Sequence, residues 1–305
     1  MLRKLTLTAL AVAAITGITP SAALAQDNQY DTVNITTTKV GDGVYMLQGA
    51  GGNIGVSAGE DGVFMIDDQY SPLTPKILAA ISAISKKPVK FMINTHWHYD
   101  HTGGNENLGK QGVVIVAHDN VYKRMSTDQM MEAFNKEIPA SPKAALPVVS
   151  FNDEVTFHLN DLHIKARHFS HAHTDGDSVI LFQDRNIIHM GDLFFNGMYP
   201  FVDRSSGGSL AGVIAAVGKI IELCDENTKI IPGHGPLATT QDLKDYHAMM
   251  QKAVSILTPL AQKGLSTEEV IKLNPLKELN DKWGGGFMKP EVFITINYPG
   301  IADVS

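Results

Sequence analysis

Three imidazoles and a carboxylate fall within six positions in the stretch Thr95-His96-Trp97-His98-Tyr99-Asp100-His101. Imidazole suits zinc and its first-row neighbours, and a carboxylate can share that ion or hold a second one. Side chains alternate faces along an extended chain, so the next-but-one spacing of His96 and His98 aims both rings at one point if the segment stays extended. Asp100 and His101 lie just beyond, where the chain turns and can direct groups to a neighbouring point. One span therefore carries ligands for two metals. A second concentration follows at His168-Phe169-Ser170-His171-Ala172-His173-Thr174-Asp175-Gly176-Asp177. Further on come Gly191-Asp192 and the turn Pro232-Gly233-His234-Gly235-Pro236, whose glycines let the backbone turn sharply and leave the His234 imidazole free to project.

These groups need elements to hold them. The apolar run 89–94 reads as a buried strand feeding the first cluster. Residues 33–67 read as a β meander punctuated by Gly41-Asp42-Gly43, Gly51-Gly52 and Gly59-Glu60-Asp61-Gly62, ending in Asp67-Asp68. Either of those carboxylates could orient a metal-binding histidine, or simply turn the chain. Residues 74–84 read as a helix, 113–117 as a strand followed by another short helix, with His118 capping the strand next to Asp119 and lacking a ligand-spaced partner. The second cluster sits between strands 162–169 and 178–183. Strand 187–192 follows, and its period-two alternation puts Asp192 on the face opposite His189, making Asp192 a site candidate and His189 a packing residue. His158 and His163 lie opposite the apolar faces of their strands and read as solvated. Helices are expected over 209–223 and 240–262, with a capping box at Ser266-Thr267-Glu268-Glu269 opening another.

Residues 125–147 break the alternation. They carry Met125, Met130 and Met131 with prolines at 139, 142 and 147, and a long irregular insertion of this kind often covers a pocket, so a lid is one reading and a surface helix the other. The loop 283–287, with its three glycines, has no role legible in the sequence.

The ends and the composition bound the rest. Arg3 and Lys4 precede an apolar run, and Pro20 leads into Ala23-Leu24-Ala25, the small-x-small pattern of a signal-peptide cleavage site. The apolar run is shorter than the roughly 20 residues of a membrane span, so cleavage after Ala25 is expected, leaving residues 26–305 as one domain with no stable membrane anchor. The destination is then periplasmic or secreted. The lone Cys224 cannot form an internal disulfide and falls beside an apolar helical stretch, which favours packing. The formal net charge is -7, and removal of Arg3 and Lys4 takes it to -9. No basic patch stands out, so the partner is expected to be a small-molecule substrate and not nucleic acid. Nothing in the sequence specifies an oligomeric state.

In type and order, His96-x-His98-x-Asp100-His101, His173 in His-Thr-Asp-Gly-Asp, Gly191-Asp192 and Gly233-His234-Gly235 resemble the metal motifs of the metallo-β-lactamase superfamily. The likeness spans roughly residues 33–260. It implies an α/β fold, the four-layer αβ/βα sandwich with metals at one edge between two sheets. It further implies that His96, His98 and His173 hold one Zn²⁺ while Asp100, His101 and His234 hold the other, with Asp192 bridging; iron or manganese would also satisfy this set. The Thr and Gly that follow favour His173 over His171 as the ligand. Two such ions roughly 3.5–4 Å apart share a water whose pKa falls towards about 7, so that hydroxide can attack a polarised carbonyl. Asp100 would orient that nucleophile and pass a proton to the leaving group, and Tyr199, seven residues beyond Asp192, could meet the oxyanion or simply pack.

Position 98 is not the glutamate of the di-iron flavoprotein oxidases, and position 192 is not the cysteine of two β-lactamase subclasses. The aspartate resembles that of thioesterase, lactonase and phosphodiesterase branches, whereas export resembles that of β-lactamases. The resemblance thus implies a hydrolase opening an amide or ester carbonyl, best a β-lactam or lactone ring. A hydroxyacylglutathione-type thioesterase and an iron-dependent persulfide dioxygenase are the alternatives. A non-catalytic metal binder is a third.

Overall fold

The computed structural model describes residues 29–302, and the expected signal peptide lies outside them. From Asn34 onward the chain forms one folded unit. Its first sheet follows chain order: β1 (Thr36–Gly41), β2 (Val44–Gln48), β3 (Ile54–Gly59), β4 (Gly62–Ile66), β5 (Val89–Ile93) and β6 (Val114–His118). A hairpin of β7 (Gln129–Met131) and β8 (Lys136–Ile138) stands apart before β9 (Val149–Phe151) closes the sheet. The second sheet comprises β10 (Glu154–Leu159), β11 (Leu162–Phe169), β12 (Asp177–Phe182), β13 (Ile187–His189), β14 (Lys229–Ile231) and β15 (Ala238–Thr239). The meander β1 to β4 is antiparallel, and pairing becomes parallel from β4 to β5, β6 and β9. Within the second sheet only β13 and β14 run parallel.

Side-chain alternation builds the layers. Phe64, Ile66, Ile93 and Val116 from the first sheet meet Ile164, Ile180, Phe182, Ile187 and Ile231 from the second in one apolar cluster. Their neighbours on the same strands point the other way. Val179, Ile188 and Ile230 join a second cluster with Val213 and Val217 of α5 (Leu210–Ile221), Leu243 and Met250 of α6 (Thr240–Gln262) and Phe293 of α9 (Pro290–Ala302). On the far side of the first sheet Val63, Met65, Met92 and Ile115 are buried, as are Ile77 and Ile81 of α1 (Thr74–Ile84) and Leu108 of α3 (Asn105–Lys110), with Gly109 directly beside Ile115. The central strands of both sheets are buried on both faces, which is the helix, sheet, sheet, helix stacking of the expected sandwich.

Local sequence explains the ends of the main helices. Pro75 occupies the first turn of α1, where its missing N–H costs nothing. Thr239 and Asp242 form a reciprocal capping box at the start of α6, and Ser266 and Glu269 do so for α7 (Thr267–Leu273). One expected boundary differs. β13 ends at His189, and Gly191 at φ +50° turns the chain into a short helical turn that carries Asp192. Strand alternation therefore does not position Asp192; a glycine-led turn does. The insertion at 125–147 is neither a surface helix nor structureless: it is the β7–β8 hairpin between short turns. Among the described residues no helix is long and apolar enough to cross a membrane.

Candidate metal centre

The loop after β5, the β11–β12 loop and the turns after β13 and β14 open on the same edge of the sandwich, and the candidate ligands meet there. His96 Nε2 lies 3.1 Å from His98 Nδ1, and His173 Nε2 lies 3.0 Å from the same His98 nitrogen. Asp192 Oδ2 completes this set at 3.8 Å from His96 and 3.6 Å from His173. Asp100 and His101 sit on the one-turn helix α2 (Tyr99–Thr102). His101 Nε2 is 3.4 Å from His234 Nε2 and 3.6 Å from Asp100 Oδ2, and His234 Nε2 is 3.2 Å from Asp100 Oδ2. The other Asp192 oxygen, Oδ1, faces this second set at 3.0 Å from His101 and 3.5 Å from His234.

Those separations fit cations. A tetrahedral ion held at about 2.0–2.1 Å keeps its ligands about 3.3 Å apart, inside the range observed in both sets. Unprotonated ring nitrogens at 3.0–3.1 Å have no favourable contact unless a proton or a cation sits between them. The donor set of imidazole and carboxylate suits zinc or its neighbours.

The far nitrogen is occupied in four of the five rings, which fixes the near one. His173 Nδ1 donates to the Phe201 carbonyl at 2.9 Å, leaving Nε2 a lone pair towards the cluster. His98 Nε2 donates to Asp203 Oδ2 at 2.9 Å, so His98 presents Nδ1 instead. His101 Nδ1 donates to Asp67 Oδ2 at 2.8 Å. The same Asp67 oxygen accepts from Thr95 Oγ1 at 2.7 Å, and Thr95 Oγ1 accepts in turn from His96 Nδ1 at 3.1 Å. Asp67 thus orients one histidine of each set. It reaches them from a left-handed backbone conformation, φ +59°, which is unfavourable for a residue with a side chain.

Charge balances inside the cluster. Burial pulls His173 down to about 4 and holds His96 well below its ordinary value, so both rings are neutral at pH 7. Burial acts the same way on His234 but is outweighed by Asp192 and Asp100, which raise it to about 9. Asp100 is pushed up by burial and pulled down further by His101 and His234, to about 2. Gly233 permits the closeness: a Cβ there would stand 2.1 Å from Asp192 Oδ1. Asn53 fastens the His234 turn from the first sheet, donating through Nδ2 to Pro232 and Gly235 carbonyls at 2.9 Å each.

The remaining candidates separate cleanly. His171 is exposed, with φ +53°, and its ring bonds to the Gly207 carbonyl at 3.1 Å outside both donor sets, whereas His173 is fully buried in the first set. His189 is buried and bonded to the Asn53 carbonyl and the Gly191 N–H, a packing and bracing role. His118 accepts from Asn120 N at the start of α4 (Asp119–Met125) and stacks on His168. His158 and His163 lie on the exposed side of β10 and β11. Half-buried Cys224 packs against the helical cluster. Tyr199 requires correction as a substrate contact: it is fully buried, stacks on Phe293 at 4.6 Å and donates its hydroxyl to Asn280 at 2.9 Å, so it belongs to the core. Asp203 is the residue that sequence reasoning missed. It lies in no ligand motif, and its only local signal is the Asp-Arg-Ser-Ser turn it caps.

A cleft of about 520 Å³ opens over the cluster, lined by His98, Asp100, Asp192 and His234 on its floor and by the β7–β8 hairpin on one wall. That volume suits a small molecule.

The comparisons agree with this geometry. A family model described as "Metallo-beta-lactamase superfamily" matches residues 48–236. Hydroxyacylglutathione hydrolase from Prochlorococcus marinus (strain NATL1A) is 26% identical over 222 residues, covering 64% of this chain and 79% of the relative. A metallo-beta-lactamase from Pontibacter korlensis superposes with a TM-score of 0.59 at 21% identity, covering 72% of this chain and 99% of its own. The metallo-beta-lactamase FIM-1 from Pseudomonas aeruginosa, in a mono-zinc form, gives 0.57 at 23% identity, covering 72% and 96%. With its sandwich and its edge cluster of histidines and aspartates, the chain belongs to the metallo-beta-lactamase superfamily and is a metal-dependent hydrolase of that family.

Proposed function

We propose that this chain is an exported, dinuclear zinc hydrolase that opens an amide or ester carbonyl of a small molecule, best a β-lactam or lactone ring. One observation carries the dinuclear reading: the two oxygens of Asp192 divide between the two donor sets, Oδ2 to His96 and His173, Oδ1 to His101 and His234. Export rests on the N-terminal sequence alone and places the protein in the periplasm or outside the cell. When bound, such a metal pair supplies a nucleophile at neutral pH and a Lewis acid for the carbonyl. His96, His98 and His173 would hold one ion and Asp100, His101 and His234 the other, with Asp192 within reach of both.

The chain's own groups do the rest. Asp203 and Asp67 fix the His98 and His101 rings so that Nδ1 of the first and Nε2 of the second face the cluster. Asp100 keeps 23% of its side chain open to the cleft. From there it can take a proton from the attacking water and return it to the departing amine or alcohol.

Metal content by mass spectrometry, coupled to turnover of nitrocefin, lactones, thioesters and phosphodiesters, tests the proposal. Two zincs per chain and hydrolysis of the strained rings support it. The thioesterase alternative, favoured by the names of the sequence relatives, predicts a preference for acyl thioesters. One iron with oxygen uptake would replace it by the dioxygenase reading. Asp192→Ala should lose one metal and lower the rate by orders of magnitude; full activity with two zincs retained would refute the bridge.

A further inference from the structure

The walls of the cleft come from segments that the metal motifs do not include. On one side stands the β7–β8 hairpin. Directly paired residues of an antiparallel ladder share a face, so Met131 with Lys136 and Gln129 with Ile138 look the same way, while Met130 and Glu137 look the other. Met131, Lys136 and Ile138 line the cleft; Met130 and Glu137 do not. The acid next to Lys136 in sequence is therefore turned away from it. Phe134, at the hairpin tip, is half exposed and lies 5.1 Å from Phe201, which in turn packs on His98 and His173.

Across the opening stands Phe287, from the glycine-rich loop whose purpose the sequence left unread. It lies beyond the residues matched by the family, is 55% exposed, and covers His234 and Phe195 at ring distances of 5.8 and 5.9 Å. Gly286 lets it approach: a Cβ there would come within 2.6 Å of Met198. Phe134 over the His98 side of the cluster and Phe287 over His234 are two large aromatic rings left half in water in the same cleft, and a ligand seated there buries them.

Two cationic side chains line this cleft. Arg124 is committed, holding Asp175 through Nε and Nη2 at 2.7 and 2.8 Å and Gln129 through Nη1. Lys136 has no ion-pair partner among the described residues. A chain of net charge -7 thus keeps one uncommitted ammonium on the wall facing its donor cluster.

We infer that the cleft selects a substrate with an acidic group on an apolar body: Lys136 pairs with the acid while Phe134 and Phe287 enclose the apolar part above the cluster. The inference rests on the hydrolase reading for the reaction but not for binding, and the test separates the two. The zinc-loaded full chain is titrated with 4-phenylbutyrate and with 4-phenylbutyramide, followed by calorimetry and by the fluorescence of Trp97 in the cleft wall. Any attraction of the carboxylate to the zinc is common to all variants and cancels between them. Lys136→Ala should cut the preference for the carboxylate by roughly twofold to fivefold, the size expected of a solvent-exposed ion pair, and Lys136→Glu should cut it further. Phe134→Ala and Phe287→Ala should weaken both probes together. An acid preference unchanged in Lys136→Ala and Lys136→Glu overturns the assignment of Lys136, and affinities unchanged in both phenylalanine variants overturn the aromatic enclosure. The same variants are then assayed on mono-4-nitrophenyl glutarate against 4-nitrophenyl pentanoate, where the ratio of kcat/KM should fall in parallel through KM. Binding ratios that shift as expected, with neither ester turned over, uphold the acid-binding cleft and count against ester hydrolysis instead.

Discussion

Replacing Asp203 by Asn changes one oxygen to an NH₂ group and leaves the shape alone, yet the structure fixes which way the amide must face. Asp203 Oδ1 accepts from the Ser206 backbone N–H at 3.2 Å and from the Ser205 hydroxyl. Oδ2 accepts from His98 Nε2 at 2.9 Å and from the Ser206 hydroxyl. A backbone N–H cannot become an acceptor, whereas a hydroxyl can rotate and an imidazole can change tautomer. In Asp203→Asn the amide oxygen must therefore stay with Ser206 N, and the NH₂ faces His98. His98 Nε2 then accepts, and the proton moves to Nδ1, the nitrogen that meets His96 and His173 at 3.1 and 3.0 Å. An N–H now points where a lone pair is needed. Loss of such an orienting partner costs roughly 10–100-fold in metal affinity, about 1.4–2.8 kcal/mol. Zinc titration against a chromophoric chelator should show one of two sites weakened by that factor, and ¹⁵N correlation spectra of the His98 ring should show the proton on Nδ1. Unchanged affinity together with an unchanged His98 tautomer would refute the reasoning. The matching variant Asp67→Asn, whose Oδ1 is tied to Thr95 N at 2.7 Å, should turn its NH₂ to His101 and to Thr95 Oγ1, and so disturb one histidine of each set.

Three further outcomes follow from individual side chains. His171→Ala should leave zinc content and rate within about twofold, because exposed His171 stands outside both donor sets; a loss equal to that of His173→Ala would mean that the wrong histidine has been placed in the first set. Tyr199→Phe should lower stability by roughly 1 kcal/mol through its lost bond to Asn280 and leave kcat unchanged, as thermal melts and steady-state rates would show. His189 is held neutral by burial, down to about 4, whereas unfolded histidine titrates near 6.5. The unfolded chain therefore takes up a proton first as pH falls, so this contribution is complete above pH 6.5 and is lost between 6.5 and 4 at up to about 1.4 kcal/mol per pH unit. Wild type should lose stability across that window more steeply than His189→Gln, and parallel curves would exclude the effect.

The site was legible because its ligands are concentrated: four of seven candidates fall within six positions after an apolar strand, and chain order aligns the other three with strand ends. Helix α1 and helix α6 were legible for a related reason, since apolar periodicity and capping residues are local signals. Asp192 was selected by strand alternation, but its position comes from a positive-φ glycine turn. The orienting carboxylates divide in the same way. Asp67 ends a readable strand and was a candidate, whereas Asp203 reaches His98 across 105 positions of sequence, a relation that no spacing reveals. Tyr199 stayed open between an oxyanion contact and packing, because distance along the chain from a ligand says nothing about which side of the second sheet a ring packs on; the fold puts it in the core. Phe287 and Lys136 were invisible as a pair, since only the fold sets a glycine-rich loop opposite a hairpin about 150 positions earlier.

The donor sets draw on both halves of the sandwich: His96, His98, Asp100 and His101 follow a strand of the first sheet, and His173, Asp192 and His234 follow strands of the second. A cation gripped by both halves would act as a rivet along a seam that Asn53 to the His234 turn, Ser178 N to the Thr95 carbonyl and Trp97 to Ser206 also tie at this edge. Scarcity of metal would thus loosen the architecture and silence the chemistry in one stroke, and the amount of soluble protein would track the supply of the ion it works with.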